Sequence, residues 1–194
     1  MLTEYALIPD ILDASCYSAQ GICSVHLQGL KEVVLREALV ADLHNGNLGK
    51  YISANANRWD PKGKELFKKI VTQNRLISRP AIGLTTPNVD TEWIDEAYAS
   101  HNNEPLDGII TSEVNKLHRQ DPIIASIEKL SSAIWWQNRT SSIRVLRNTQ
   151  SYIKALEKIL RYSNSIMFID PHLHPYKHSY REFELLLAAI RNTT

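Results

Sequence analysis

Residues 165–180 read SIMFIDPHLHPYKHSY and gather Asp170, His172, His174 and His178 within nine positions. On extended backbone, residues 170, 172 and 174 share one face, so this Asp-x-His-x-His run presents a carboxylate and two imidazoles together. That donor set suits zinc or manganese and a metal-activated water for hydrolysis, with His178 as a further donor. Pro171 and Pro175 interrupt the regular strand such a site needs. The competing reading is a strand end, with Asp170-Pro171 as the turn and the histidines on a polar rim. It carries more weight, and no cofactor is expected.

The elements around this run set its context. Ile166–Ile169 is β-branched and aromatic, too short for a helix, and reads as a buried strand. Ser179-Tyr-Arg-Glu182 is a capping box; the helix it opens runs through Phe183, Leu186, Leu187 and Ile190. Ahead of the strand, Ser142 to Tyr162 is the most regular helical pattern in the chain. Val145, Leu146, Tyr152, Ile153, Leu156, Ile159 and Leu160 fall within an arc of about 140° on a helical wheel, and Arg144, Arg147, Lys154, Lys158 and Arg161 within about 100° opposite. Five cations along about 26 Å of helix match a phosphate backbone and predict sequence-tolerant, salt-sensitive contact with DNA or RNA.

Upstream, helical spacing predicts a helix from Ser18 to His44, stopped by Asn45-Gly46. Asp60-Pro61 opens a second, with Asp60 as N-cap, and Leu66, Phe67, Ile70 and Val71 as its buried stripe. Trp93, Ile94, Ala97 and Tyr98 mark a short acidic helix. Asp121-Pro122 repeats the start signal for a helix through Ile124, Ile127, Leu130 and Ile134 that ends at Trp135-Trp136, with Trp135 expected in the core. A lone strand leaves its backbone unsatisfied. The further strand candidates are YALIPDIL and GIIT. Either they complete a small sheet, or another chain or a second copy completes it, or the chain is a fragment.

Two resemblances rest on these residues. FIDPHLHP is similar to the first-strand motif of the amidohydrolase superfamily, where two such histidines bind metal. That motif opens a barrel needing about 200 further residues, and only 20 follow His174, so the likeness stays local. RYSNSIMFIDPHL, followed by YREFELLL, resembles a group of uncharacterised bacterial proteins with a phospholipase D-like fold. YALIPDIL, GKELFKKIVTQNRL (63–76) and SSAIWWQNR (131–139) extend that likeness. The resemblance implies phosphodiester chemistry performed by a His-x-Lys motif, which this chain lacks; His174-Pro-Tyr-Lys177 has the wrong spacing. It further implies action on nucleic acid in phage defence, an analogy at the level of fold.

The totals restrict the remaining choices. The chain has 194 residues, 43% hydrophobic and 22% charged, enough for one domain or two small ones. No apolar run approaches the roughly 18 residues of a membrane span, the first residues carry no basic n-region, and Cys16 and Cys23 form neither a disulfide framework nor a zinc knuckle. A cytoplasmic protein is expected. Charge is segregated beneath a net +1: residues 80–115 hold seven acids and no Lys or Arg, Arg58 to Arg79 holds seven bases against two acids, and Arg139 to Arg161 six against one. Such blocks either bind partners or pair with each other. No glycine-rich phosphate loop, G-x-S-x-G elbow or close Cys–His pair is present.

The expected fold is mostly α with a small β component, helices packing on a short or incomplete sheet and an α/β-like βα unit at the C-terminus. Residues 1–138 form a helical N-terminal region and 139–194 the basic helix with the strand-loop-helix unit. The expected function is a non-catalytic nucleic-acid-binding or assembly domain using Arg144, Arg147, Lys154, Lys158 and Arg161. A metal-dependent hydrolase using Asp170, His172 and His174 is the alternative, and a purely structural interaction subunit a third.

Overall fold

The structure, a computed structural model, describes residues 2–140, 144–146, 148–162, 167, 181, 183–185 and 187–188. The chain divides into two compact units. One is Thr3–Arg139; the other takes in Met1–Leu2 and Thr140–Thr194.

The first unit runs β1 (Thr3–Leu7), α1 (Gln20–Glu37), β2 (Ala38–Asp42), α2 (Leu43–Ala54), α3 (Pro61–Thr72), β3 (Leu76–Ser78), α4 (Asp90–Asn103), β4 (Gly108–Thr111), β5 (Ile124–Ser126) and α5 (Ile134–Gln137). All five strands are parallel, in the order β3-β2-β1-β4-β5. Tyr5 sits opposite Val40 on one side and Gly108 on the other. With right-handed crossovers, helices that connect strands leftward and rightward of β1 lie on opposite faces. Accordingly α1 packs along α3, joined by the Lys31–Glu65 ion pair at 2.7 Å, while α4 belongs to the rightward connection; α2, at the carboxyl end of β2, also touches α4. This is an α/β unit with helices on a small sheet, and the two short strand candidates, YALIPDIL and GIIT, supply its central pair.

A sheet covered on both faces explains the strand compositions. Tyr5, Ala6, Leu7, Ala38, Leu39, Val40, Ile109 and Ile110 are all buried, the near-continuous apolar runs of parallel strands. Two expected helices are corrected on that account. The helix expected to His44 ends at Glu37; Ala38 turns to φ −127°, ψ 155° and starts β2. The helix expected after Asp121-Pro122 is instead β5, a 3-10 turn (Ile127–Ser132) and the single turn α5. A short apolar run in a buried parallel strand also satisfies helical spacing, and only strand pairing separates the two. Trp135 and Trp136 are both half-buried, their rings 5.6 and 5.7 Å from that of Tyr5. A Cβ at Gly108 would lie 2.4 Å from the Trp135 ring, so any larger residue at this strand position forces the indole or the strand to shift.

Polar anchors fix the ends of the elements. Asp60 is the N-cap of α3, as its Asp-Pro signal predicts: its carboxylate accepts from Lys62 N at 2.8 Å and from the Ser24 hydroxyl on α1 at 3.2 Å. Arg79, just past β3, reaches back to Glu4 of β1 at 2.7 Å, and also donates to Ser100 Oγ and to the Glu104 carbonyl near the end of α4.

In the second unit α6 spans Thr149–Tyr162. Asn148 caps it, its side chain accepting from Ser151 N at 2.8 Å. The helix expected from Ser142 therefore starts later, because a well-placed Asn holds the N-cap geometry; Arg144, Val145 and Leu146 precede it in non-helical backbone. The described residues of 181–188 are helical, where the capping box predicts a helix. Of the expected strand Ile166–Ile169 only Met167 is described, and it is exposed. The rest of the expected C-terminal strand and its loop lie outside the described residues.

Candidate functional site at the carboxyl edge of the sheet

Strand order reverses between β1 and β4, so the loops leaving their carboxyl ends diverge and open a crevice. Ile8 N still bonds to Ile110 O at 2.9 Å, and a 3-10 turn (Pro9–Leu12) follows. That turn places Asp10 beneath the end of β4. Its Oδ2 accepts from Thr111 Oγ1 at 2.6 Å, Ser112 Oγ at 2.6 Å and Ser112 N at 3.0 Å. Its Oδ1 is buried with no hydrogen-bond partner. Burial pushes the Asp10 carboxyl up to about 6, against the opposing effect of the hydrogen bonds from Ser112 and Thr111.

Ser112 lines a cleft of about 450 Å³. The loop after β1 contributes Cys16, the loop from β4 to β5 contributes Glu113, Val114 and Arg119, and the end of β5 with its 3-10 turn contributes Ser126, Glu128 and Lys129. Partial burial and the nearby Asp13 and Asp10 push the Cys16 thiol up, so it stays protonated at neutral pH and is a poor nucleophile there.

Two networks hold the walls. On the β1 side, Asp13 accepts from Ser15 N and Oγ at 2.9 and 2.7 Å and from Arg58 Nε at 2.5 Å. Arg58 also pairs with Asp90 at the start of α4, whose carboxylate takes the Tyr51 hydroxyl. Burial opposes ionisation of Asp13, but the bonds from Ser15 and Arg58 prevail and hold its carboxyl below the usual range. On the β4 side, His118 Nε2 lies 2.9 Å from Asp95 of α4 and Nδ1 lies 3.0 Å from Asp121. Burial alone would lower the imidazole's pKa; the hydrogen bonds to the two carboxylates raise it.

The segregated charge blocks meet within this unit. Arg58 of the basic block pairs with Asp90 of the acidic one. Other acids of that block bond elsewhere in the unit: Glu96 accepts from Ile82 N, Gly83 N and His44 Nδ1, and Asp107 from Glu4 N.

The residues singled out from sequence belong to the other unit. Arg144 and Lys154 are exposed and Lys158 is half-buried on α6. Arg147 and the side chain of Arg161 lie outside the described residues, as do Asp170, His172, His174 and His178. Among the described residues no group of three His, Cys, Asp or Glu side chains could hold a metal ion. Asp10 and Ser112 went unnoticed in the sequence, though each follows an apolar run (YALIP and GIIT), and in a parallel sheet such positions gather at the carboxyl edge. No helix among the described residues is long and apolar enough to cross a membrane. Neither a protein-family model, nor a curated protein, nor a solved structure matches the chain.

Proposed function

We propose that Thr3–Arg139 binds a small polar ligand, carrying both an anionic group and an amine or hydroxyls, in the cleft outside β1, β4 and β5. The observation that carries this reading is the Asp10–Ser112 contact, which fixes a hydroxyl on the cleft wall where the strand order reverses. Open parallel sheets flanked by helices bind their ligands at that place, and about 450 Å³ falls in the range of small-molecule sites. Arg119 and Lys129 supply positive charge and Glu113 and Glu128 supply acceptors. None of the four side chains has an ion-pair partner among the described residues. The test is thermal denaturation with inorganic phosphate, nucleotides, sugar phosphates and free amino acids. One class is expected to raise Tm saturably, and Arg119→Ala/Lys129→Ala to abolish the shift. A flat response throughout, or undiminished binding by the double variant, rejects the cleft.

A second reading concerns the other unit: a nucleic-acid-binding or assembly role, of the kind the phospholipase D-like resemblance implies. Its support is the exposure of Arg144 and Lys154. Fluorescence anisotropy with a labelled single-stranded oligonucleotide tests it. Binding should weaken steeply with salt and fall in Arg144→Glu/Lys154→Glu; salt-independent binding, or none, counts against it.

A further inference from the structure

The loop that joins β4 to β5 spans residues 112–123 and supplies Glu113, Val114 and Arg119 to the cleft. Val114 and Ile123 pack, partly buried, against the core, and polar bonds tie the loop to the body of the unit. Ser112 holds to Asp10 at its start, and near its end Asp121 Oδ1 receives the Tyr98 hydroxyl at 3.3 Å. Between them Thr111 Oγ1 of β4 lies 3.2 Å from the Glu113 carbonyl, and His118, one residue before Arg119, is bound to Asp95 on α4. Leu117, beside it, is exposed.

The chemistry of this tie depends on protonation. A neutral imidazole has one N–H and one lone pair, whereas an imidazolium has two N–H donors. Both ring nitrogens of His118 face carboxylates within 3.0 Å. Only the imidazolium satisfies both; in the neutral ring one carboxylate faces a lone pair and its bond is lost. The groups facing the ring, among the described residues, are Asp95 and the Tyr98 ring from α4, and Asp121 from the loop itself. The Asn115 side chain accepts from His118 N and the Asp121 N–H donates to His118 O, which shapes the turn without sensing charge.

We propose that His118 is a proton-operated clamp on this loop: protonated, it bonds Asp95 of α4 and Asp121 of the loop together, and deprotonated, it gives up one of the two bonds and loosens the Arg119-bearing wall of the cleft. As a regulatory device for the cleft the clamp rests on the binding reading above, but its operation is measurable without any ligand. The histidine's pKa is raised, so the clamp is fully closed below the ordinary histidine value of 6.5 and opens as pH rises through the higher folded value.

The experiment is hydrogen–deuterium exchange of the intact chain, followed by mass spectrometry across pH 5.5 to 9, with rates divided by the intrinsic rate at each pH. Peptides within 112–123 are expected to lose about tenfold in protection across the transition, the scale of one charge-assisted hydrogen bond. His118→Gln should show the low protection throughout. Asp95→Asn, which leaves the ring one anionic partner, should move the transition to lower pH, and it serves as the test if His118→Gln fails to fold. Protection that is independent of pH in the wild-type chain, or a transition unmoved in Asp95→Asn, overturns the clamp. A cleft that binds nothing would leave these exchange results unchanged, so the two readings fail separately.

Discussion

The Ser112 hydroxyl donates to Asp10 Oδ2 at 2.6 Å, joining residues 102 positions apart in the chain across the point where the sheet reverses its order. One carboxylate oxygen takes three donors while the other, buried, takes none. The asymmetry gives Asp10 a consequence for the whole fold as well as for the cleft.

A carboxyl raised from 3.8 to about 6 holds its proton in the folded state after the unfolded chain has released it. Its contribution to stability is full below pH 3.8 and declines as pH rises to about 6, by up to about 3 kcal/mol. Urea denaturation at pH 4, 5, 6 and 7 should show this decline beneath the other titrations. Asp10→Asn should remove it, so that the variant gains on the wild type towards neutrality. Parallel pH profiles for the two would remove Asp10 as the source.

Gly108→Ala puts a methyl group 2.4 Å from the Trp135 ring. The indole has Tyr5 and Trp136 against it, so the clash is relieved only by shifting packed groups. A loss of about 2 kcal/mol is expected, within the range for overpacked cores, read as a lower urea midpoint with a change in tryptophan emission. Wild-type stability would mean that Trp135 is not seated over β4.

Glu4 and Arg79 are each under 5% exposed and 2.7 Å apart. Glu4→Gln removes the carboxylate that Arg79 Nε binds and should cost about 3 kcal/mol. Replacing both residues, as Glu4→Leu/Arg79→Met, should cost less than the single change. A larger loss in the double variant would show that Arg79 acts chiefly through Ser100 and the Glu104 carbonyl.

Asp60→Ala removes the cap of α3 and the acceptor of the Ser24 hydroxyl. About 1–2 kcal/mol should be lost. Asp60→Asn, which still accepts at the helix end, should recover most of it, and a variant no better than alanine would argue against capping as the cause.

Helix signals with local chemistry were legible: Asp60-Pro61 opens α3 where expected, and the Trp93–Tyr98 pattern lies within α4. The strands were legible only in part. YALIPDIL and GIIT supply β1 and β4, but ALVAD was absorbed into a helix because Ala38 and Val40 also suit helical spacing, and its partners lie at residues 3–5 and 76–78. The cleft was illegible for a related reason. Asp10, Ser112 and His118 are ordinary loop residues in sequence, and only the parallel arrangement of β1 and β4 brings the first two together. The residues that drew attention did so by clustering along the chain, and those of 170–178 lie outside the described residues.

The central position of β1 also sets the order in which the fold can assemble. Its Tyr5 pairs with Val40 after 35 residues but with Gly108 only after 103, so one edge of β1 stays open until β4 has been made. Joining such distant segments carries a large loop-closure cost before any packing offsets it. Refolding of Thr3–Arg139 should therefore be slow for its size, with closure of β1 against β4 as the late event. Until then the nascent chain presents a bare, apolar strand edge, the state in which binding by chaperones and mispairing with another chain compete with folding.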